Sequence, residues 1–269
     1  MSGFSAEWLA LREQHDVRAR NAAVFDAVVL WSSGKSSLDI VDLACGTGST
    51  LRFLAPRLKS KQSWRLTDND RALLARAAKT SLPPGVVSTT VSLDLNRKLE
   101  EALTGTVDLV TTSALLDLVS EDWLRQLARK LAARSAPVYA ALSYDGRIEI
   151  EPVHSLDAAV IAAVNAHQRR DKGFGPALGP LAASSAIAQF ESLGYDVIQG
   201  GSDWVTDSQD RDFQMEILAG WASAARELGG LPLADIDGWA AWRRDAVAAG
   251  RSSIRVGHVD FFAHPTAIR

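Results

Sequence analysis

The residues best suited to chemistry in this chain lie in Ile40-Val41-Asp42-Leu43-Ala44-Cys45-Gly46-Thr47-Gly48-Ser49-Thr50. An apolar run ends in an acid and small residues, turns through two glycines and resumes with helical spacing. That pattern reads as a buried parallel strand feeding a tight loop at a helix N-terminus. Glycine at 46 and 48 lets a ligand approach bare backbone, which a Cβ would obstruct. Twenty residues beyond Gly48 a second strand-like run, Trp64-Arg65-Leu66-Thr67, ends in Asp68. An acid at that place hydrogen-bonds the hydroxyls of a ribose. The pair of motifs predicts a site for a nucleoside-bearing ligand. Side chains able to move protons beside it are few, and Asp117, Tyr144 and His167 are the candidates.

The glycine loop separates three ligand classes. A nicotinamide-dinucleotide loop reads G-x-G-x-x-G, and the third glycine position here is Leu51. A phosphate-binding P-loop needs G-x-x-x-x-G-K-[ST], and no Lys follows these glycines. The segment resembles motif I of the class I S-adenosylmethionine-dependent methyltransferases, with Ala44 where that family usually has its first glycine.

The resemblance extends in order through residues 35 to 150 and weakly over Ile254 to His264. It implies that Asp42, Ala44, Gly46, Thr47 and Gly48 hold the cofactor, and that Asp68, followed by Asn69, binds the ribose. It places Asp94 and Leu95, closing Val91-Ser92-Leu93-Asp94-Leu95, at the adenine, and Ser113 beside the sulfonium in the loop after Val107-Asp108-Leu109-Val110-Thr111-Thr112. Pro137 to Asp145 is similar to the family's fifth strand, buried on both faces. The implied activity is methyl transfer from S-adenosylmethionine, leaving S-adenosylhomocysteine. Family members that methylate exocyclic or amide nitrogens carry Asn/Asp-Pro-Pro-aromatic after the fourth strand, and Thr112-Ser113-Ala114-Leu115 lacks both proline and aromatic.

Methyl transfer from a sulfonium is an in-line displacement that needs alignment, exclusion of water and a proton acceptor where the nucleophile carries a proton. In the family, the loop position of Asp117 often bears a polar side chain near the substrate; the ordinary alternative is a helix cap or solvent-facing acid. Tyr144 stands at a strand's carboxyl end, where open α/β sheets bind ligands, or packs in the core. His167 faces the cleft as a base, or serves as a helix C-terminal histidine favoured by the dipole. Arg170 and Lys172, with Arg169, are either anchors for an anionic substrate group or a solvated face. Arg12 reaches the substrate from an amino-terminal helix, or joins Glu13, Asp16 and Arg20 in i,i+4 pairs. Trp221, Trp239 and Trp242 line a pocket for a flat substrate or, the commoner case, fill core. No spacing suggests metal ligands, so the expected mechanism is metal-free.

Alternating strands and helices must position these groups, which predicts an α/β, Rossmann-like fold with a mostly parallel seven-stranded sheet covered on both faces. Ser5 is placed to cap a first helix and Asp16 a second. Residues 1–34 form an expected helical cap, 35–205 and 252–269 the cofactor-binding core, and 206–251 a helical insertion before the last strand. Between Gly173 and Pro180 three glycines and two prolines in eight residues mark a loop that covers something. The strand after it is expected to run from Tyr195 to Trp204.

Composition narrows the function further. Of 269 residues 47% are apolar, enough for a sizeable core, and the net charge of −3 gives no general attraction to nucleic acid. Cys45 is the only cysteine, which excludes an intramolecular disulfide, and the loop around it suggests packing rather than reactivity. No leader pattern opens at Met1-Ser2-Gly3, and no apolar stretch reaches the ~20 residues of a membrane helix. The expectation is a cytoplasmic monomer or homodimer acting on a small-molecule acceptor through O, N or C, with neither nucleic acid nor membrane as partner. Two rivals remain: a non-catalytic adenosylmethionine- or adenosylhomocysteine-binding module that uses the insertion to engage a partner protein, and a dinucleotide-dependent oxidoreductase.

Overall fold

The computed structural model describes residues 4–266, so the reading at Met1-Ser2-Gly3 falls outside it. Two helices, α1 (Ala6–Ala19) and α2 (Ala22–Ser32), precede the sheet. Ser5 caps α1, accepting a hydrogen bond from the Trp8 amide at 3.1 Å. Asp16 does not cap α2. It lies within α1, its carboxylate bound by Arg12 one turn earlier, and Asn21 takes the cap by accepting from the Val24 amide at 3.1 Å. A short polar side chain caps only from an extended backbone, which Asn21 has and Asp16 lacks.

The chain then alternates through β1 (Ser37–Leu43), α3 (Ser49–Leu54), β2 (Lys61–Asp68), α4 (Arg71–Ala77), β3 (Val86–Ser92), α5 (Leu95–Ala102), β4 (Leu109–Ser113), α6 (Glu121–Arg134) and β5 (Val138–Glu151). After these come α7 (Asp157–Gln168), α8 (Ala182–Ser192), β6 (Tyr195–Gly201), β7 (Trp204–Thr206), α9 (Arg211–Leu228), α10 (Leu233–Ala248) and β8 (Ser253–Pro265). The sheet runs β3-β2-β1-β4-β5-β8-β6, with β7 also paired to β8. Strands β1 to β5 are mutually parallel, whereas β8 runs antiparallel to β5, β6 and β7.

The sheet therefore has eight strands, one more than the seven expected. The stretch read as a single strand from Tyr195 to Trp204 breaks at Ser202 and Asp203. There the Ser202 amide binds the His258 carbonyl at 2.8 Å, while Asp203 accepts from the His258 amide and pairs with Arg147 and Arg255. Trp204 to Thr206 then pairs with a different part of β8. The fifth strand also continues six residues beyond Asp145, through register shifts after Ala140 and Tyr144. The first shift is held by the buried Asp260 carboxylate, which accepts from the Leu142 amide at 2.8 Å.

Period-two alternation sorts the sheet residues between layers. Leu38 and Ile40 pack with α2, α3 and α4 on one face, and Val41 and Leu43 with α5, α6 and α8 on the other. A third core joins α7, α9 and α10 to the far ends of β5 and β8. At its centre Trp239 Nε1 donates to Asp157 at 2.8 Å and the fully buried Arg243 pairs with the same carboxylate. Trp239 is thus core, and the Trp242 ring lies tilted with its centre 4.8 Å from that of His154; neither borders the large cavity at the strand ends. Among the described residues no helix is long and apolar enough to cross a membrane.

Candidate active site

The carboxyl ends of the parallel strands meet along one edge, where the loops diverge and leave a crevice. The chain turns there through Ala44, Gly46 and Gly48, all with left-handed backbone (φ +54°, +54° and +86°). The Cys45 amide bonds the Thr67 carbonyl at 2.9 Å and the Gly48 amide the Cys45 carbonyl at 2.8 Å, so the turn is locked to β2 before α3 begins. Ala44 takes a conformation that favours glycine, which accounts for the family's usual residue at that position. Ala114 (φ +51°) and Leu142 (φ +55°) strain the ends of β4 and the bend of β5 in the same way. All three border one cavity of about 1360 Å³. Non-glycine left-handed residues gathered at strand ends mark a functional edge.

Asp68 closes β2 on the wall of this cavity. Its Oδ2 accepts from the Gly46 amide at 2.8 Å and its Oδ1 from the Asp70 amide at 2.9 Å. Each oxygen keeps a second lone pair, so the carboxylate both pins the loop and can accept from hydroxyls. Burial raises its pKa, against the backbone bonds that lower it. Asn69, Leu95, Ser113 and Thr47 share the wall, as does the half-exposed Asp94, which caps α5 by accepting from the Asn96 amide at 3.0 Å. The donor and acceptor set along β2, β3 and the glycine turn fits a ribose, a purine edge and a charged tail.

Two cofactor candidates lie elsewhere. Asp42 is 1% exposed and absent from the wall, because alternation turns it to the side of Leu38 and Ile40. It accepts from Thr111 Oγ1 at 2.7 Å, leaves Oδ2 unpartnered, and is pushed by burial up to about 7. Gly48 also leaves the wall, turning into α3 beside Ala77. Both shape the loop without bordering the cavity.

The other end of the cavity is walled by α1, α7, α9 and the extended part of β5–β8. Asp117 sits in a 3-10 turn after β4, 7% exposed, with Oδ1 lacking any hydrogen-bond partner. Burial among apolar neighbours pushes it up to about 6, against the lowering influence of Arg12 and Lys172. Tyr144 pairs across the sheet with His258, and its hydroxyl donates to Asn165 Oδ1 at 2.6 Å. Burial holds the phenol far above its ordinary value. Both ring nitrogens of His167 are engaged: Nε2 with Glu227 Oε2 at 3.1 Å and Nδ1 with Lys172 Nζ at 3.3 Å. In this arrangement His167 is a support for Lys172 and not an open base. Arg170 donates to the Glu227 carbonyl at 3.1 Å at the rim.

Arg12 borders the cavity as expected, but with its guanidinium bound by Asp16 and lying over Trp204, 4.7 Å from the ring centre. Trp204 Nε1 donates to the same Asp16 at 2.9 Å. Trp221 alone of the three proposed tryptophans reaches the wall. His258 and Trp204 were missed. His258 is buried, 4.6 Å from the Trp204 ring, and burial holds its protonation down to about 3. The alternation Ile254, Val256, His258 in the last strand was the available signal, but its facing element depends on register. Among the described residues no three His, Cys, Asp or Glu side chains converge as metal ligands.

Residues 40–137 match the family model of a methyltransferase domain. That match covers about a third of the chain, from β1 to the loop before β5, and identifies this segment as a methyltransferase domain. No curated protein matches it in sequence. Among solved structures it resembles a cyclopropane-fatty-acyl-phospholipid synthase-like protein from Lactobacillus casei, at 15% identity and a TM-score of 0.57, over 97% of this chain and 94% of that one. The cyclopropane synthase MmaA2 from Mycobacterium tuberculosis matches over the same shares at 10% identity and a TM-score of 0.50. The YcgJ protein from Bacillus subtilis matches over 91% and 99% at 13% identity and a TM-score of 0.50. At such identities these likenesses establish the fold alone.

Proposed function

We propose that this methyltransferase acts on a small-molecule acceptor through an O, N or C nucleophile, by in-line displacement with the proton work done by side chains rather than a metal. One observation carries the reading: the glycine turn and Asp68 share a single cavity with a walled polar and aromatic lobe. Its volume of about 1360 Å³ exceeds the roughly 300–1,000 Å³ of pockets for one ligand, leaving room for cofactor and acceptor together. Asp68 and Asn69 are assigned to the ribose, Asp94 and Leu95 to the adenine, and Ala44, Gly46, Thr47 and Ser113 to the rest of the cofactor. When bound, S-adenosylmethionine supplies an electrophilic methyl group. Helices α1 and α9 roof the acceptor lobe and exclude water, Tyr144 and His258 shape its floor, and Asp117 is the proton acceptor. The 206–251 segment acts as a lid in this scheme. A lobe filled by the chain's own side chains would exclude enzyme activity and favour the binding-module alternative; here the cavity runs on from the cofactor residues into that lobe, which supports the enzyme reading.

Calorimetric titration with S-adenosylmethionine, and with NAD as control, tests the proposal. Micromolar binding of the first and none of the second is expected. Asp68→Ala removes both the ribose acceptor and the bond that pins Gly46, so affinity falls at least tenfold. Unchanged affinity in that variant would sink the assignment.

A further inference from the structure

The acceptor lobe contains two buried or half-buried charges of opposite sign that the protein leaves unmatched. The first is Asp117, whose Oδ1 has no partner although its residue is more than nine-tenths buried. Buried acceptors without partners are rare in folded proteins because each loses hydration for nothing. The second is Lys172. Its ammonium contacts His167 Nδ1 at 3.3 Å, and among the described residues no carboxylate comes within ion-pairing distance of it. Glu227 holds His167 from behind through Nε2 at 3.1 Å. With Nε2 donating, Nδ1 is left to accept from Lys172, so Glu227, His167 and Lys172 form a relay that aims the ammonium at the cavity.

Arg12 does not compete for the same role. Its guanidinium is already neutralised by Asp16 through Nε and one terminal nitrogen. Lys172 and Asp117 border the same cavity and make neither a hydrogen bond nor an ion pair with one another. Flat rings line the same cavity: Trp204, Trp221, Tyr144 and His258 all border it. A ligand that completes both charges must carry an anion at one end and a donor at the other, on a scaffold that suits aromatic faces.

We propose that the acceptor is an aromatic or heteroaromatic acid bearing a nucleophilic hydroxyl or amino group, its acid group paired with Lys172 and its O–H or N–H donated to Asp117. This rests on the methyl-transfer reading above and narrows it to a substrate class. In the transfer, the O–H or N–H bond breaks and its proton passes to Asp117 Oδ1. The freed electron pair forms the bond to the methyl carbon, and the carbon–sulfur bond breaks with its pair returning to sulfur. A sulfonium and a carboxylate become a neutral thioether and a neutral acid, and the proton on Asp117 then leaves to solvent.

The test uses the full chain saturated with S-adenosylhomocysteine, titrated calorimetrically with the three hydroxybenzoate and three aminobenzoate isomers, and with benzoate and phenol. At least one substituted acid should bind about tenfold more tightly than both benzoate and phenol. Lys172→Gln should weaken that acid about tenfold and leave phenol and S-adenosylhomocysteine unchanged. Asp117→Asn should retain S-adenosylhomocysteine binding and lose methylation of the same acid. Three results would overturn the proposal while leaving the methyl-transfer reading intact: no acid binding below millimolar, an affinity indifferent to Lys172, or methylation that survives Asp117→Asn. Unchanged acid affinity together with weakened S-adenosylhomocysteine binding in Lys172→Gln would mean that the cofactor's own amino-acid tail pairs with the ammonium. Failure of S-adenosylhomocysteine itself to bind would instead overturn the parent reading.

Discussion

Asp117 is a carboxyl group in an apolar wall, and desolvation decides its chemistry more than its neighbours do. Burial raises it from 3.8 to about 6, and the Arg12 and Lys172 charges offset part of that rise. The group is ionised above about 6 and able to take a proton at neutral pH. The sign for stability runs the other way. Between about 4 and 6 the folded chain holds a proton that the unfolded chain has released, so ionising Asp117 costs stability as pH rises through that window. A 13C NMR titration of aspartate carboxyl groups should show a resonance with a midpoint near 6 that vanishes in Asp117→Asn. A midpoint near 4 would remove the physical basis for its role. The sequence placed Asp117 and Lys172 near the strand ends because each follows a strand or helix whose end the pattern located, and Tyr144 because it lies in the fifth strand; all three border the cavity. Asp42 was misread for the opposite reason: it stands in the motif, but a one-residue alternation turns it away from the cavity.

At the scale of elements, α1 is the piece whose position the sequence left open. It touches both sides of the cleft. Leu9 lies against Gly46, and Glu13 binds Arg52, which in turn donates to the Thr47 carbonyl at 2.5 Å. Toward α9, His15 stacks on Phe213 with ring centres 3.7 Å apart, while Arg18 pairs with Asp210. His15 is held below its ordinary pKa chiefly by burial, with Arg18 assisting and Asp210 and Asp16 opposing. Its folded form favours the neutral ring, so the stabilisation it gives is present above 6.5 and is lost as pH falls below that value. Hydrogen exchange should therefore show lower protection factors in α1 at pH 5.5 than at 7.5, and His15→Leu should shrink the difference. Equal protection at both values would show that α1 docking does not depend on this ring.

For the molecule as a whole, polar links tie α9 and α10 to the rest of the chain, and one of them, Arg243 of α10, is fully buried. It pairs with Asp157 at the start of α7 and donates to the Pro152 carbonyl at 2.7 Å. Removing it leaves Asp157 without its cation in a buried site, so Arg243→Ala should cost about 3 kcal/mol of unfolding free energy. Chemical denaturation would measure this, with Lys172→Gln as the loop control that changes stability little. A loss below about 1 kcal/mol would mean that apolar contacts among α7, α9 and α10 suffice to hold the insertion.

The sequence by itself determined the order of strands and helices through β5, the glycine turn, the acid that closes β2 and the class of cofactor, because each depends on neighbours within a few residues or on a period. It also predicted two helices within 206–251 through helical spacing, and α9 and α10 lie there. Only the tertiary structure decided which side chains share the acceptor lobe. His258 faces Tyr144 because antiparallel register brings β8 beside β5, and Trp204 meets Arg12 because β7 peels away from β6 and runs under α1. Those contacts join residues more than a hundred positions apart, and no local pattern encodes them. The same holds for the unmatched pair at Asp117 and Lys172: charge is written in the sequence, but its isolation from a partner is a property of packing.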